Sequence, residues 1–189
     1  MAVGILGGVF DPPHLGHVAL ARAAMNQLGL DELLVLVVAD PGHKAAITPA
    51  ETRLELARLA FADVPGAIVE LDRHARTVDF LEERRPQDAL FVLGADEFAA
   101  FESWKSPERV LELVRLAVAM RPGVARDDVS AIRERLAAGE RIVEFEMNPV
   151  AISSSEIRAR IARDEPVDDV VPPPVSDAIS RLGLYATPE

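Results

Sequence analysis

Six strand-length apolar runs, most of them separated by stretches with helical periodicity, constrain this chain more than any other feature. They lie at Val3 to Leu6, Leu33 to Val38, Ala67 to Leu71, Ala89 to Leu93, Leu116 to Met120 and Ile142 to Phe145. Such runs suit strands buried on both faces, and the helices between them point to crossovers that return the chain to the same end of a parallel sheet. The expected fold class is therefore α/β, a Rossmann-like doubly wound parallel sheet. In an open sheet of this kind ligands sit beyond the carboxyl ends of the strands, near the point where strand order reverses. After residue 146 the pattern is purely helical, with a break at Pro172-Pro173-Pro174. One domain is expected over 1–189, made of an α/β core at 1–146 and a small C-terminal helical part at 147–189. Helix beginnings are marked at Thr48-Pro49-Ala50-Glu51 and Ser153-Ser154-Ser155-Glu156, both with capping-box spacing, and at Ser106-Pro107, a cap followed by proline.

Composition narrows the function classes. With 189 residues, 49% of them hydrophobic, the chain can bury one ample core. The lack of cysteine removes disulfides, thiolate metal sites and cysteine nucleophiles together. The N-terminus has no basic region followed by a long apolar run, and no apolar stretch nears the roughly 20 residues that cross a bilayer, so a soluble cytoplasmic protein without a membrane partner is expected. A formal charge of −11 argues against general nucleic-acid binding, which needs a basic footprint. A phosphorylated ligand would need a locally positive pocket. The only two lysines, Lys44 and Lys105, fall in segments placed at one end of the sheet, although a genome favouring arginine accounts for their scarcity equally well. Nothing fixes the number of subunits, and a homo-oligomer is compatible with the sequence.

The motif with the most chemistry is GILGGVFDPPHLGH, residues 4 to 17. A buried strand breaks into paired glycines and prolines, and two histidines lead into an amphipathic helix beginning near Gly16. Glycines let ligand oxygens approach the main chain, and the helix start offers N–H groups and its positive dipole end to an anion. His14 and His17 add donors. Read alone, the pair also fits a turn histidine beside a capping one, or half of a zinc site that lacks evident further ligands. Asp11 reads as a loop organiser accepting backbone N–H groups.

GGVFDPPHLGH resembles the GGxFDPxHxGH signature of the nucleotidylyltransferase superfamily, and Ile152-Ser153-Ser154-Ser155-Glu156-Ile157-Arg158 resembles its second signature, a serine-rich helix start followed by arginine. The PGHK segment, LGADEF with a tryptophan eight residues after Asp96, Arg121-Pro122-Gly123 and the ending from VVPPP to GLY extend the likeness to nearly the whole chain. Together they are similar to the bacterial nicotinate-nucleotide adenylyltransferase family. That resemblance implies adenylyl transfer from ATP to nicotinate mononucleotide, with magnesium carried by the substrate phosphates and no metal held by the protein alone. Two departures bear on the acceptor: Val9 stands where the family usually has threonine, and Ala75-Arg76-Thr77 where it usually has Ser-Tyr-Thr. Acceptors such as nicotinamide mononucleotide or phosphopantetheine, and a nucleotide-binding regulator without turnover, are the competing readings.

Residue roles follow from the resemblance. His14, His17, Lys44 and Arg158 are the expected catalytic groups, hydrogen-bonding or neutralising the triphosphate. ATP is expected to meet Gly7, Gly8 and Phe10 at the first loop, Gly94 and Asp96 after the fourth strand, and Ile152 with Ser153, Ser154 and Ser155 at the late helix. Asp96 could accept from ribose hydroxyls or simply cap its own helix. Nicotinate mononucleotide is expected at Gly8, Val9 and Lys44, at Arg76 and Thr77, and at Trp104 and Arg121. Trp104 looks by resemblance like a residue stacking on the pyridine ring, whereas a lone tryptophan is otherwise usually core. Arg76 either supplies charge that favours the acidic acceptor or is a solvated arginine.

Overall fold

Every strand of the computed structural model runs parallel, in one six-stranded sheet of order β3-β2-β1-β4-β5-β6. Residues 1–42, 46–120, 126–136, 138–148 and 150–187 are described. The strands are β1 (Val3–Gly8), β2 (Glu32–Val38), β3 (Ala67–Asp72), β4 (Leu90–Gly94), β5 (Arg115–Met120) and β6 (Ile142–Glu146). The helices are α1 (Leu15–Gln27), α2 (Ala50–Phe61), α3 (Thr77–Arg84), α4 (Ala95–Ala99), α5 (Pro107–Leu113), α6 (Arg126–Arg135), α7 (Ser154–Ala162) and α8 (Pro173–Leu182). The six expected runs all became strands, in the expected α/β class. The order reverses between β1 and β4, which makes their carboxyl ends the switch point.

The pleat sorts successive strand residues onto two cores. Leu6, Val35, Val37, Val92, Ala117 and Phe145 face α1, α2, α7 and α8, while Ile5, Leu36, Phe91, Leu93, Leu116 and Val118 face α3, α4, α5 and α6. At about 25 cal/mol per Å² of apolar area removed from water, these two layers are the dominant favourable term in folding.

Local details differ from the sequence expectation in three places. β1 continues through Gly7 and Gly8, which pair with Leu36 and Val37, because ladder bonds need only backbone. The box at Thr48 does not form: Pro49 is the N-cap of α2, no side chain caps it, and the Thr48 N–H donates instead to Asp11 Oδ2 at 3.3 Å. Ser106 does precede Pro107 at the start of α5, but its hydroxyl makes no cap bond. At α7 the expected serine cap forms, with Ser153 Oγ accepting the Glu156 N–H at 3.2 Å.

Candidate active site

β1 follows β2 up to Gly8↔Val37, and β4 follows β5 up to Gly94↔Ala119, yet β1 and β4 pair only at Gly4↔Leu90 and Ile5↔Phe91. The two strands therefore part toward their carboxyl ends and open a crevice at the switch point. Gly7 is exposed there, and a Cβ placed on Gly94 would meet nothing within 4 Å. Gly8 is different. A Cβ on it would stand 2.7 Å from Phe10 Cζ, so this glycine is dictated by the ring beneath it. Phe10 holds a left-handed φ of 52° and its ring is buried against Phe61 and His17. Among the expected ATP contacts, Phe10 thus has only its main chain to offer.

The two histidines form one stacked unit, with ring centroids 3.7 Å apart. The His14 N–H donates to His17 Nδ1 at 3.2 Å, which leaves the His17 proton on Nε2 and makes that nitrogen a donor. His14 Nδ1 is buried without a partner, close against Gly16, where a Cβ would stand 3.0 Å away. Charging this ring would leave an N–H without an acceptor at the buried Nδ1. Burial accordingly pulls the His14 pKa down to about 4, and burial with the neighbouring His14 holds His17 well below the ordinary range. Both are neutral donors near pH 7. The α1 start itself offers fewer N–H groups than the sequence implies, since the Leu15 N–H already donates to Val170 O at 2.9 Å.

The late serine cluster closes directly on this opening loop. Ser154 Oγ donates to Pro12 O at 2.8 Å, and Arg158 donates to Asp11 O at 2.6 Å and to Ser155 Oγ at 3.2 Å. Two helix starts from opposite ends of the chain thus meet at one loop, and the partly buried Arg158 brings a fixed positive charge beside them. Ser153 and Ser155 are exposed, and Ile152 packs partly against the core.

Asp11 organises the junction. Its Oδ2 accepts the Ile47 N–H at 2.7 Å and the Thr48 N–H, and its Oδ1 accepts the Tyr185 hydroxyl at 2.6 Å. Burial pushes its pKa up, but hydrogen bonds from Thr48, Tyr185 and Ile47 outweigh burial and hold it below the usual carboxylate value.

Arg53, which sequence reasoning missed, is 1% exposed and donates to four carbonyls, those of Thr48, Val9, Val38 and Ala39, at 2.7–3.0 Å. It joins the end of β2 to the opening loop. A signal existed: Arg53 lies at helical spacing from Ala57, Ala60 and Phe61, on the apolar stripe of α2.

On the other side of the crevice, Trp104 is half-buried, edge-on to Phe91 at 5.8 Å and tilted on Phe101 at 5.3 Å. Thr77 opens α3 directly after Arg76, so its N–H belongs to the helical turn that lacks intrahelical acceptors. Arg76 is exposed, donates to its neighbour Ala75 O, and lies beside Gly42 of the loop after β2. Val9, before the left-handed Phe10, is half-buried and its carbonyl is held by Arg53. Asp96 is exposed in the first turn of α4; Gly94, and not Asp96, occupies the N-cap. Lys44 and Arg121 lie outside the described residues. Lys105 is paired with Asp79 at 2.6 Å. Among the described residues no helix is long and apolar enough to cross a membrane, and no group of three or more His, Asp or Glu is placed to hold a metal ion.

A parallel sheet of this order, an open crevice at its switch point and paired neutral imidazoles beside a serine-arginine helix start define a Rossmann-like nucleotidyltransferase. The Cytidylyltransferase-like family model matches residues 5–160. Probable nicotinate-nucleotide adenylyltransferases of Thermus thermophilus and Rubrobacter xylanophilus are 40% and 36% identical to the chain, each over 98% of it and over 100% and 92% of their own lengths. The fold is also that of a solved Plasmodium falciparum nicotinic acid mononucleotide adenylyltransferase complexed with NaAD, at TM-score 0.74 and 19% identity over 97% of each chain. The chain belongs to the nicotinate-nucleotide adenylyltransferase family, within the Cytidylyltransferase-like group.

Proposed function

We propose that this protein transfers the adenylyl group of ATP to nicotinate mononucleotide, yielding nicotinate adenine dinucleotide and pyrophosphate, as a cytoplasmic step of NAD biosynthesis. The observation that carries this reading is the junction of the two helix starts, where Ser154 and Arg158 bond the loop that leads into His14 and His17. Within it, residues 1–146 supply the crevice and residues 147–189 the second phosphate-binding element.

An oxygen of the acceptor phosphate attacks the α-phosphorus of ATP while the bond to the bridging oxygen breaks and pyrophosphate departs. A phosphate monoester is already ionised near neutral pH, with a second pKa of about 6, so alignment and charge neutralisation matter more than a general base. His14 and His17 act as neutral donors to the triphosphate, the second nearer the α-phosphate. Their suppressed pKa values keep both rings neutral across the physiological range, and the bond accepted by His17 Nδ1 leaves the proton of that ring on Nε2. Arg158 and the α7 start at Ser153, Ser154 and Ser155 take the β- and γ-phosphates, and Lys44 folds over them. Gly7, Gly8, the Phe10 main chain, Gly94 and Ile152 let the nucleotide lie against backbone, and Asp96 accepts from ribose hydroxyls. Magnesium, bound through the triphosphate and water, would neutralise charge on the leaving pyrophosphate. The acceptor lies toward Gly8, Val9, Thr77, Trp104 and Arg121. There Arg76, beside Gly42, supplies charge that favours nicotinate over nicotinamide.

Pyrophosphate release with ATP, magnesium and each of three acceptors tests the reading, with nicotinate mononucleotide expected to be fastest by far. Release with phosphopantetheine instead would reassign the acceptor, and release with none would leave a nucleotide-binding regulator. His17→Ala should lower kcat about 10²–10³-fold, the usual loss for one donor to developing charge. For Arg76→Ala, an unchanged ratio of turnover on the two mononucleotides would eliminate the proposed selectivity.

A further inference from the structure

We infer that Tyr185, near the C-terminal end of the chain, is a positioning residue for adenylyl transfer, acting through Asp11 on the triphosphate-binding groups. The inference rests on the adenylyl-transfer reading. Asp11 is 2% exposed and lies at the meeting point of three segments distant in sequence. Its main-chain carbonyl accepts from Arg158, its Oδ2 accepts the Ile47 and Thr48 N–H groups where the β2–α2 connection enters its helix, and its Oδ1 accepts the Tyr185 hydroxyl. The first two contacts set the guanidinium of Arg158 and the anchored end of the loop that carries Lys44. The third is the only one of these from the chain's last segment, and without it one oxygen of a buried carboxylate would lose a close donor.

The backbone around Tyr185 is built to deliver that hydroxyl. Gly183 ends α8 with φ 62°, the Leu184 N–H donates to Ile179 O at 3.1 Å, and Thr187 Oγ1 donates to Ala162 O at 3.0 Å. Between these two anchors Tyr185 holds a φ of 65°, a left-handed conformation unfavourable for any residue with a Cβ. A tail retained only to cover apolar surface would have no use for it. Strain at one residue that aims one hydroxyl at one buried carboxylate is a device for orientation.

The effect should be confined to the triphosphate side. Trp104, Thr77 and Arg76, on the acceptor side, make none of the bonds to Asp11. Tyr185→Phe removes a single oxygen and keeps the ring packing. It should lower kcat about tenfold, the worth of one hydrogen bond to a charged group, and raise the KM for ATP while leaving the KM for nicotinate mononucleotide unchanged. A merely structural role would not produce that split. In an Asp11→Asn background the same substitution should cost less than about threefold, because groups acting through one another are not additive. Equal losses in both backgrounds, or a Tyr185→Phe enzyme with native kcat and KM for ATP, would overturn the inference. Should the native protein form no dinucleotide from ATP and nicotinate mononucleotide, the reading of its function fails separately. The same four proteins titrated with ATP and magnesium then decide the Tyr185 question by the same non-additivity, read as Kd.

Discussion

Gly8→Ala perturbs a position whose cost can be worked from contacts. The new methyl would stand 2.7 Å from Phe10 Cζ and 3.0 Å from both Cε atoms. Carbon atoms rest at about 3.5–4.0 Å, so the ring must retreat by about 0.8 Å or more. It has nowhere to go. Phe61 and His17 close on it edge-to-face, with centroids at 5.6 and 4.9 Å, and its own left-handed backbone fixes where the side chain starts. Overpacking of this kind costs about 1–3 kcal/mol, which for a chain of this length lowers Tm by about 2–12 °C. The displaced ring pushes on His17, whose proposed role as a donor to the triphosphate makes a shift of about 1 Å worth about 10²-fold in rate. Thermal unfolding and pyrophosphate release should therefore both fall. Gly94→Ala is the matched control: its methyl enters open space, so Tm should stay within about 2 °C while the KM for ATP rises, because the crevice loses room for the nucleoside. A Gly8→Ala protein with native Tm and native kcat would refute the claim that Phe10 is pinned and that the glycine exists to accommodate it.

Arg53→Met keeps the apolar stem but leaves four carbonyls around it without their donor, and denaturant unfolding should show a loss of about 3–5 kcal/mol, the upper range for single substitutions. His74 bonds Asp72 Oδ1 at 2.7 Å and Glu83 Oε2 at 3.1 Å, and these two hydrogen bonds raise its pKa. A pKa raised on folding adds stability that is fully present below the unfolded value of about 6.5 and is lost as pH rises through the folded one. The stability difference between native protein and His74→Gln should accordingly shrink above pH 6.5, and a difference that grows with pH would contradict the assignment. Chelation of magnesium should abolish pyrophosphate release without lowering Tm, since the ion is proposed to arrive with the triphosphate and not with the protein.

Much of the sheet could be read before any coordinates, because a strand buried on both faces needs a run of apolar residues and a parallel sheet needs helices between such runs. Ser153 was legible as a cap for a similarly local reason: its hydroxyl and the Glu156 N–H are three residues apart. Thr48 was not. Its spacing was right, but Asp11, far away in sequence, took its N–H. His14 and His17 were found as a pair by their spacing within a recognisable motif, yet their stacking, and the low pKa values that follow from burial, depend on what covers them.

The order of elements, the end of the sheet where ligands are expected and the glycine-histidine loop were legible through periodicity and short-range spacing, and the late serine-arginine helix start through its resemblance to a family signature. Tertiary structure alone decided which four carbonyls Arg53 meets, that the Phe10 ring belongs to the core, and that Tyr185 reaches Asp11 across 174 positions of chain. Periodicity encodes which side of an element faces inward. Which carbonyl or carboxylate waits there for a donor depends on segments that meet only when the chain has folded.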